Sequence, residues 1–329
     1  MTNHRDNSRR SRRGIAAIGA IIIAAAAIAV GISLSHQSAA PLGPLPVQLP
    51  TTPQSYLGVY ADGTPTSYAG VTAFTNTIGA RPDLVMYYSG WYVPFPVQFA
   101  NTVAENGAVP LVQMDPDSEG NKTVSIAGIA SGRYDGYLSA YAETVRAYRH
   151  PVILSFGHEM NGWWSSWGYT HTSAATFVAA WRHIVTLFRD LGARNVTWLW
   201  TVNIINDARG GNIPSPARWW PGSSYVNWVG IDGYYLKPNW QFAPLFGPTI
   251  GAVRTLTGDP ILIAETGATA TADQPAKITD VFAGIHAYGL LGFVWFDSTD
   301  NTGQDFDISS PAALAAFRKG ASTFTRPES

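Results

Sequence analysis

Two glutamates close short apolar runs: Glu159 in the stretch ILSFGHEMNGWW (Ile153–Trp164), and Glu265 directly after Ile261-Leu-Ile-Ala264. A carboxyl delivered at the end of a buried strand has its charge set by its surroundings, so two such groups facing one another can divide acid and base work. Cleavage of a glycosidic bond with retention needs such a pair, about 5–5.5 Å apart. One carboxyl protonates the leaving oxygen while the other attacks the anomeric carbon from the opposite face; the first then serves as base towards water. Three indoles, Trp163, Trp164 and Trp167, crowd the loop after Glu159. They are too large for all to be buried in a short polar loop, and their exposed faces suit the stacking of sugar rings; covering the barrel rim is the plain alternative for any one of them.

Other chemistries find less support in the chain. His158, Glu159, His171 and several aspartates could feed a metal site, but no helical His-Glu-x-x-His pair occurs, so neither metal nor cofactor is expected. No Gly-x-Ser-x-Gly elbow follows an apolar run, which sets aside a serine triad. The chain has no cysteine, excluding thiolate metal sites, cysteine nucleophiles and disulfides.

The elements that must position the glutamates are eight apolar or β-branched runs: Tyr56–Tyr60, Leu84–Tyr88, Val109–Met114, Val152–Phe156, Val196–Trp200, Trp228–Ile231, Ile261–Ala264 and Gly292–Phe296. Between them lie helix-like patterns such as Tyr134–Tyr148, Ser173–Leu191 with a serine cap, and Ala272–Ala287. Strand and helix in alternation imply a parallel sheet, and eight units over residues 56–329 fit an α/β fold of the (β/α)8 TIM-barrel type. A doubly wound open sheet is the alternative, although no glycine-rich phosphate loop follows the first run. Barrel enzymes gather their reactive groups beyond the C-terminal ends of the strands. Those ends read Asp62, Ser89-Gly90-Trp91, Asp115, Gly157-His158-Glu159, Asn203, Asp232-Gly233-Tyr234, Glu265 and Asp297. Glu159 and Glu265 then belong to the fourth and seventh strands, across the mouth from each other.

Only 13% of residues are charged and the net charge is −1, so nucleic acid is not an expected partner. Arg9, Arg10, Arg12 and Arg13 precede an uncharged run from Gly14 to Leu34, long enough to span a bilayer. Residues 1–36 thus read as a basic N-terminus with either a cleavable signal peptide, cut near Ser38-Ala39-Ala40, or an uncleaved signal anchor. Residues 37–55, rich in proline and small polar residues, read as a linker. The expected setting is extracellular or at the cell surface, with the membrane as partner if the segment is retained, and the chain is expected to act as a monomer.

The segment His158-Glu159-Met160-Asn161-Gly162 with its tryptophans resembles the acid/base motif of glycoside hydrolase family 26, best known for endo-β-1,4-mannanases. Two more segments are similar to that family, Trp220–Tyr234 at the sixth strand and Ile263-Ala-Glu-Thr-Gly267 at the nucleophile strand, so the resemblance runs from about Tyr56 to Arg318. It implies a retaining enzyme in which Glu159 is acid/base and Glu265 the nucleophile, with Tyr234 hydrogen-bonding the nucleophile. His158 becomes a partner for the sugar or the nucleophile, with a buried structural histidine as the plain alternative. Asp232, on the same strand face, either orients His158 or Tyr234 or fills a barrel layer. Asn161 either shapes the acid's loop or caps a turn. Trp295 or Phe296 should form the floor under the reacting sugar, and Trp295 is the expected one.

These readings combine into an endo-acting hydrolase of a β-linked polysaccharide, mannan by the commonest family activity, with β-1,3-xylan and mixed-linkage β-glucan open. Glu159 is expected protonated at rest, in the field of Glu265 and among apolar indoles, and Glu265 ionised beside Tyr234. A non-catalytic polysaccharide-binding protein at the cell surface is the rival of a different class; the presence of both glutamates disfavours it.

Overall fold

A computed structural model describes residues 49–117, 124–205 and 213–325. The basic stretch, the apolar run of residues 14–34 and the linker up to residue 48 lie outside the described residues. Among the described residues no helix is long and apolar enough to cross a membrane.

Eight strands follow one another: β1 (Tyr56–Ala61), β2 (Leu84–Gly90), β3 (Val109–Asp115), β4 (Val152–Phe156), β5 (Val196–Asn203), β6 (Trp228–Asp232), β7 (Ile261–Thr266) and β8 (Gly292–Asp297). Each pairs in parallel with the next, and β8 returns to β1, closing a barrel. The helices are α1 (Ala69–Ile78), α2 (Val97–Glu105), α3 (Ile126–Ala130), α4 (Asp135–Tyr148), α5 (Ala174–Asp190), α6 (Phe242–Arg254), α7 (Gln274–Ala287) and α8 (Pro311–Ala321). The architecture is a (β/α)8 TIM barrel, and each of the eight apolar runs became a strand.

Local chemistry accounts for the helices that frame the site. Ser173 caps α5 by accepting from the Thr176 amide, and Phe177, Trp181, Ile184, Val185 and Phe188 recur at helical spacing on its buried face. Ser310 caps α8 in the same way, with Pro311 at the first helical position.

Strand alternation sorts the core into two clusters. Inside the barrel lie Tyr56, Leu84, Met86, Leu111, Ile153, Leu199, Trp228, Leu262, Ala264 and Val294. Their neighbours along the strands, such as Val85, Val112, Leu154, Trp200, Ile263 and Phe293, pack outwards with the helices. A polar rung sits among the inward residues, where the Ser155 hydroxyl donates to Thr201 Oγ1 at 2.9 Å. The chain already joins the barrel before β1. The amides of Gln54 and Ser55 donate to the carbonyls of Leu290 and Leu291, and the Tyr56 hydroxyl donates to the Pro50 carbonyl, so the last residues of the linker dock on the barrel.

β7 carries an irregularity with a direct consequence for the site. Ile231 pairs with Ile263 but Asp232 pairs with Glu265, and on the other side Ile263 pairs with Phe293 while Thr266 pairs with Trp295. Relative to both neighbours β7 holds one extra residue, a bulge at Ala264–Glu265. Strict alternation would turn Glu265 outward like Ile263; with the bulge, Ala264 and Glu265 both face the barrel axis.

Candidate active site

The backbone that presents Glu159 is bent at two nearly adjacent residues. Gly157 has φ +55° and Glu159 has φ +54°, the left-handed region that a non-glycine residue occupies only where its surroundings compel it. Here the Gly157 amide donates to the Met114 carbonyl and the Glu159 amide to the Thr201 carbonyl, pinning the turn to β3 and β5. A Cβ on Gly157 would lie 3.0 Å from the Phe177 ring, so glycine meets both constraints. Further along, the Trp164 ring folds back over Gly162, where any Cβ would collide with it.

The fold brings most of the expected residues together. Glu159 is nearly buried; its Oε2 accepts from the Trp164 indole at 2.7 Å and its Oε1 from the Asn203 amide at 2.5 Å. Asn161 is fully buried and clasps β5, with Nδ2 donating to the Asn203 backbone carbonyl and Oδ1 accepting from the Asn203 backbone N–H, each at 2.8 Å, which leaves the Asn203 side chain for Glu159. It holds in place the residue that holds Glu159. The Trp167 indole donates to the His158 carbonyl at 2.6 Å, and with 3% exposure it supports the loop rather than offering a face. Trp163, 44% exposed and edge-on to Trp164, does offer one.

Glu265 accepts from two tyrosines, Tyr88 at 2.7 Å on Oε1 and Tyr234 at 2.8 Å on Oε2. His158 Nδ1 lies 2.8 Å from Asp115 Oδ1. Burial disfavours the imidazolium, but Asp115, Glu265 and Glu159 together outweigh it and raise the His158 pKa well above the ordinary histidine range. These neighbours thus favour the charged form of His158 among the carboxylates. Burial pushes the Glu265 pKa upward, the His158 charge opposes this, Glu159 adds to it, and the two tyrosine hydrogen bonds pull it down again; the net direction is up. The expectation of an ionised Glu265 beside Tyr234 thus rests on His158 and both tyrosines working against burial. Both hydroxyls are pushed far above the ordinary tyrosine range, by burial first and then by the Glu265 charge, so they stay protonated donors.

Asp232 is fully buried, and it, His158 and Glu265 each bring one polar atom within 4.8 Å of the others. Its charge acts on Tyr234 and Tyr88. In its protonated form His158 offers this triplet a proton donor rather than a ligand lone pair, so the three groups then act as an electrostatic cluster.

Trp295 is a correction. It is fully buried, pointing away from the axis to lie edge-on against Phe317 of α8, with its indole donating to the Phe306 carbonyl at 3.1 Å. Val294 faces inward, so parity sends Trp295 out and Phe296 in. Phe296 is partly exposed at the mouth, stacked on Tyr60 at 4.7 Å and edge-on to Tyr234 at 5.8 Å. From sequence, Phe296 is the alternative to Trp295, Asp115 and Asn203 stand at strand ends without a role, and Tyr88 is missed. Asp115 and Asn203 close their strands, and Tyr88 shares the parity of Leu84 and Met86, so each carried a positional signal.

A family model described as glycosyl hydrolase family 26 matches residues 79–286, which contain both glutamates. Endoglucanase H of Acetivibrio thermocellus is 31% identical over 266 residues, covering 76% of this chain and 28% of that protein. A mannan endo-1,4-beta-mannosidase of Bifidobacterium adolescentis is 31% identical over 127 residues, covering 35% of this chain and 12% of that protein. The chain therefore matches only a minor part of the length of these relatives. Among solved structures, a GH26 beta-mannanase from Bacteroides ovatus superposes with a TM-score of 0.61 at 15% identity, covering 83% of this chain and 89% of that one. An endo-beta-1,4-mannanase double mutant from Cellulomonas fimi gives 0.63 at 17% identity, covering 82% and 71%. At those identities the structures speak for the fold, whereas the family model covers both glutamates and the side chains that hold them. The chain belongs to glycosyl hydrolase family 26.

Proposed function

We propose that the protein is an endo-acting, retaining glycoside hydrolase of β-linked polysaccharide, with β-1,4-mannan as its substrate. The observation that carries this reading is the pair of glutamates across the barrel mouth, each oxygen of each carboxyl held by a named donor. Glu159 gives its proton to the glycosidic oxygen as Glu265 attacks the anomeric carbon, the bond to the leaving sugar breaks, and a covalent glycosyl-enzyme forms. Glu159, now ionised, takes a proton from water, whose oxygen displaces Glu265 from the same face that the leaving group vacated. His158 and the two tyrosines stabilise the Glu265 charge before attack and again as the carboxylate departs. Phe296 and Trp163 supply apolar faces for the sugar.

Mannan is supported by the name of the partial relative from Bifidobacterium adolescentis and by the mannanase folds that superpose. A second reading, a β-glucan substrate, is favoured by the relative named an endoglucanase, which aligns over most of this chain. The basic and apolar composition of residues 9–34 supports work outside the cytoplasm, secreted or membrane-held.

The test is incubation with a panel of soluble β-mannan, mixed-linkage β-glucan and β-1,3-xylan, with sizing of early products. Internal cleavage of mannan, lost in Glu265→Ala, supports the proposal. Cleavage of glucan alone selects the second reading, and sugar released one unit at a time overturns the endo assignment.

A further inference from the structure

Beyond the catalytic mouth, a groove of about 390 Å³ opens between the loop after β6 and the exposed face of α7. Its size falls in the range of small-ligand sites. It exists because α7 presents Ala276, Thr279 and Ala283 where longer side chains would fill the space, opposite Pro238, Asn239, Trp240 and Gln241. The wall is ordered. The Trp240 amide donates to the Lys237 carbonyl to close a turn, and the Lys237 ammonium sits 5.3 Å from the Trp240 ring centroid.

The charged side chains lining this groove are already engaged. Lys277, almost fully buried, pairs with Asp273 at 2.9 Å. Asp280 Oδ2 accepts from the Phe242 amide and from the Tyr235 hydroxyl, tying α6 and the loop to α7. The lining ammonium is thus taken up by Asp273 and Asp280 is held by two neutral donors, so the groove offers hydrogen bonding more than an ion pair. What remains on offer is a partly exposed indole, the exposed amides of Asn239 and Gln241, and carboxylate oxygens with lone pairs to spare. That set suits a neutral pyranose, whose CH face lies on an aromatic ring while its hydroxyls donate and accept at the rim.

The groove also stands at the right end of the molecule. Lys237 is three residues beyond Tyr234, the donor to Glu265, and α7 begins where the chain leaves β7 after Glu265. Both walls of the groove thus continue from strands whose ends carry the site.

We propose that the Trp240 groove is a second, non-catalytic binding site for neutral β-linked polysaccharide, retaining long chains on the surface of the enzyme. The ligand class rests on the hydrolase reading given above.

The test is native electrophoresis of the whole chain through gels containing soluble galactomannan or mixed-linkage β-glucan, for wild type, Trp240→Ala and Ala276→Gln. The second variant fills the groove from an exposed helical position and leaves the loop intact. Both should weaken polysaccharide retardation roughly fivefold or more, as loss of one stacking face predicts, while hydrolysis of short soluble oligosaccharides stays unchanged. Retardation equal to wild type in both variants overturns the site, as does a wild type that neither polymer retards. Equal loss of short-substrate turnover and retardation in both variants also overturns it, since the groove would then be part of the mouth. Retardation needs no turnover, so failure of the groove and failure of the hydrolase assignment read out separately.

Discussion

The hydroxyl of Tyr88 on β2 donates to Oε1 of Glu265 on β7 over 2.7 Å, binding the two sides of the barrel mouth through the carboxylate. Tyr234 occupies the other oxygen at 2.8 Å, so both hydrogen bonds favour the ionised form that attack requires. Removing either hydroxyl must raise the Glu265 pKa further. Tyr88→Phe and Tyr234→Phe should each lower kcat/KM about 10- to 100-fold, from roughly 1.5–3 kcal/mol per charge-assisted hydrogen bond. The acidic limb of the pH–rate profile should move to higher pH in both. An unmoved limb means that Glu265 is not the group that must ionise.

The same electrostatics makes Glu265 costly to the fold. Its folded pKa lies above the unfolded value of about 4.5, so its contribution to stability is full below that value and is lost as pH rises through the folded pKa. At neutral pH the ionised carboxyl is a net burden. Glu265→Gln should therefore raise stability and Tm near pH 7, with the gain vanishing near pH 4. Calorimetric scans at the two pH values decide it, and a gain that is larger at the acidic value contradicts the assignment.

For His158 the window is different. Its folded pKa is raised above 6.5, so the pair with Asp115 stabilises the fold fully below that value and loses its effect as pH rises through the folded pKa. Asp115→Asn should cost about 1.5–3 kcal/mol at pH 6 and clearly less at strongly alkaline pH. An imidazole proton titration should show the His158 midpoint lowered in the variant. A cost that does not change with pH reduces Asp115 to a packing role.

Phe296 and Trp295 separate substrate contact from packing. Trp295→Ala should lose roughly 3–5 kcal/mol of stability, because it empties a fully buried site between β8 and α8. Phe296→Ala should leave the melting temperature nearer wild type and instead raise KM, since its ring lines the mouth beside Tyr60 and Tyr234. Paired thermal and kinetic measurements test the contrast, which fails if both variants lose only stability.

Much of this was legible in the chain. Eight β-branched or apolar runs separated by amphipathic stretches specify a barrel because both faces of its sheet are covered, and the strand ends then locate Glu159, Glu265, His158, Asp232 and Tyr234. What escaped was the direction in which particular side chains point. Phe296 and Trp295 are adjacent aromatics, and only the register of β8 against its neighbours fixes the inward one. The bulge in β7 is a pairing irregularity with no glycine or proline to mark it, so the inward turn of Glu265 could not be derived from alternation. Asp115, Tyr88 and Asn203 are separated from the groups they hold by 43, 177 and 44 residues, distances at which only the closed barrel creates contact.

The central claim is that Glu265 forms a covalent bond with the sugar while Glu159 moves the proton. The most direct measurement is intact-mass analysis followed by peptide mapping after incubation with activated 2-deoxy-2-fluoro glycosides of the manno and gluco series. One equivalent of fluoro-sugar on the peptide carrying Glu265, absent in Glu265→Ala, is the predicted result. Labelling at another carboxylate, or turnover of polysaccharide with full activity in Glu265→Ala, contradicts it.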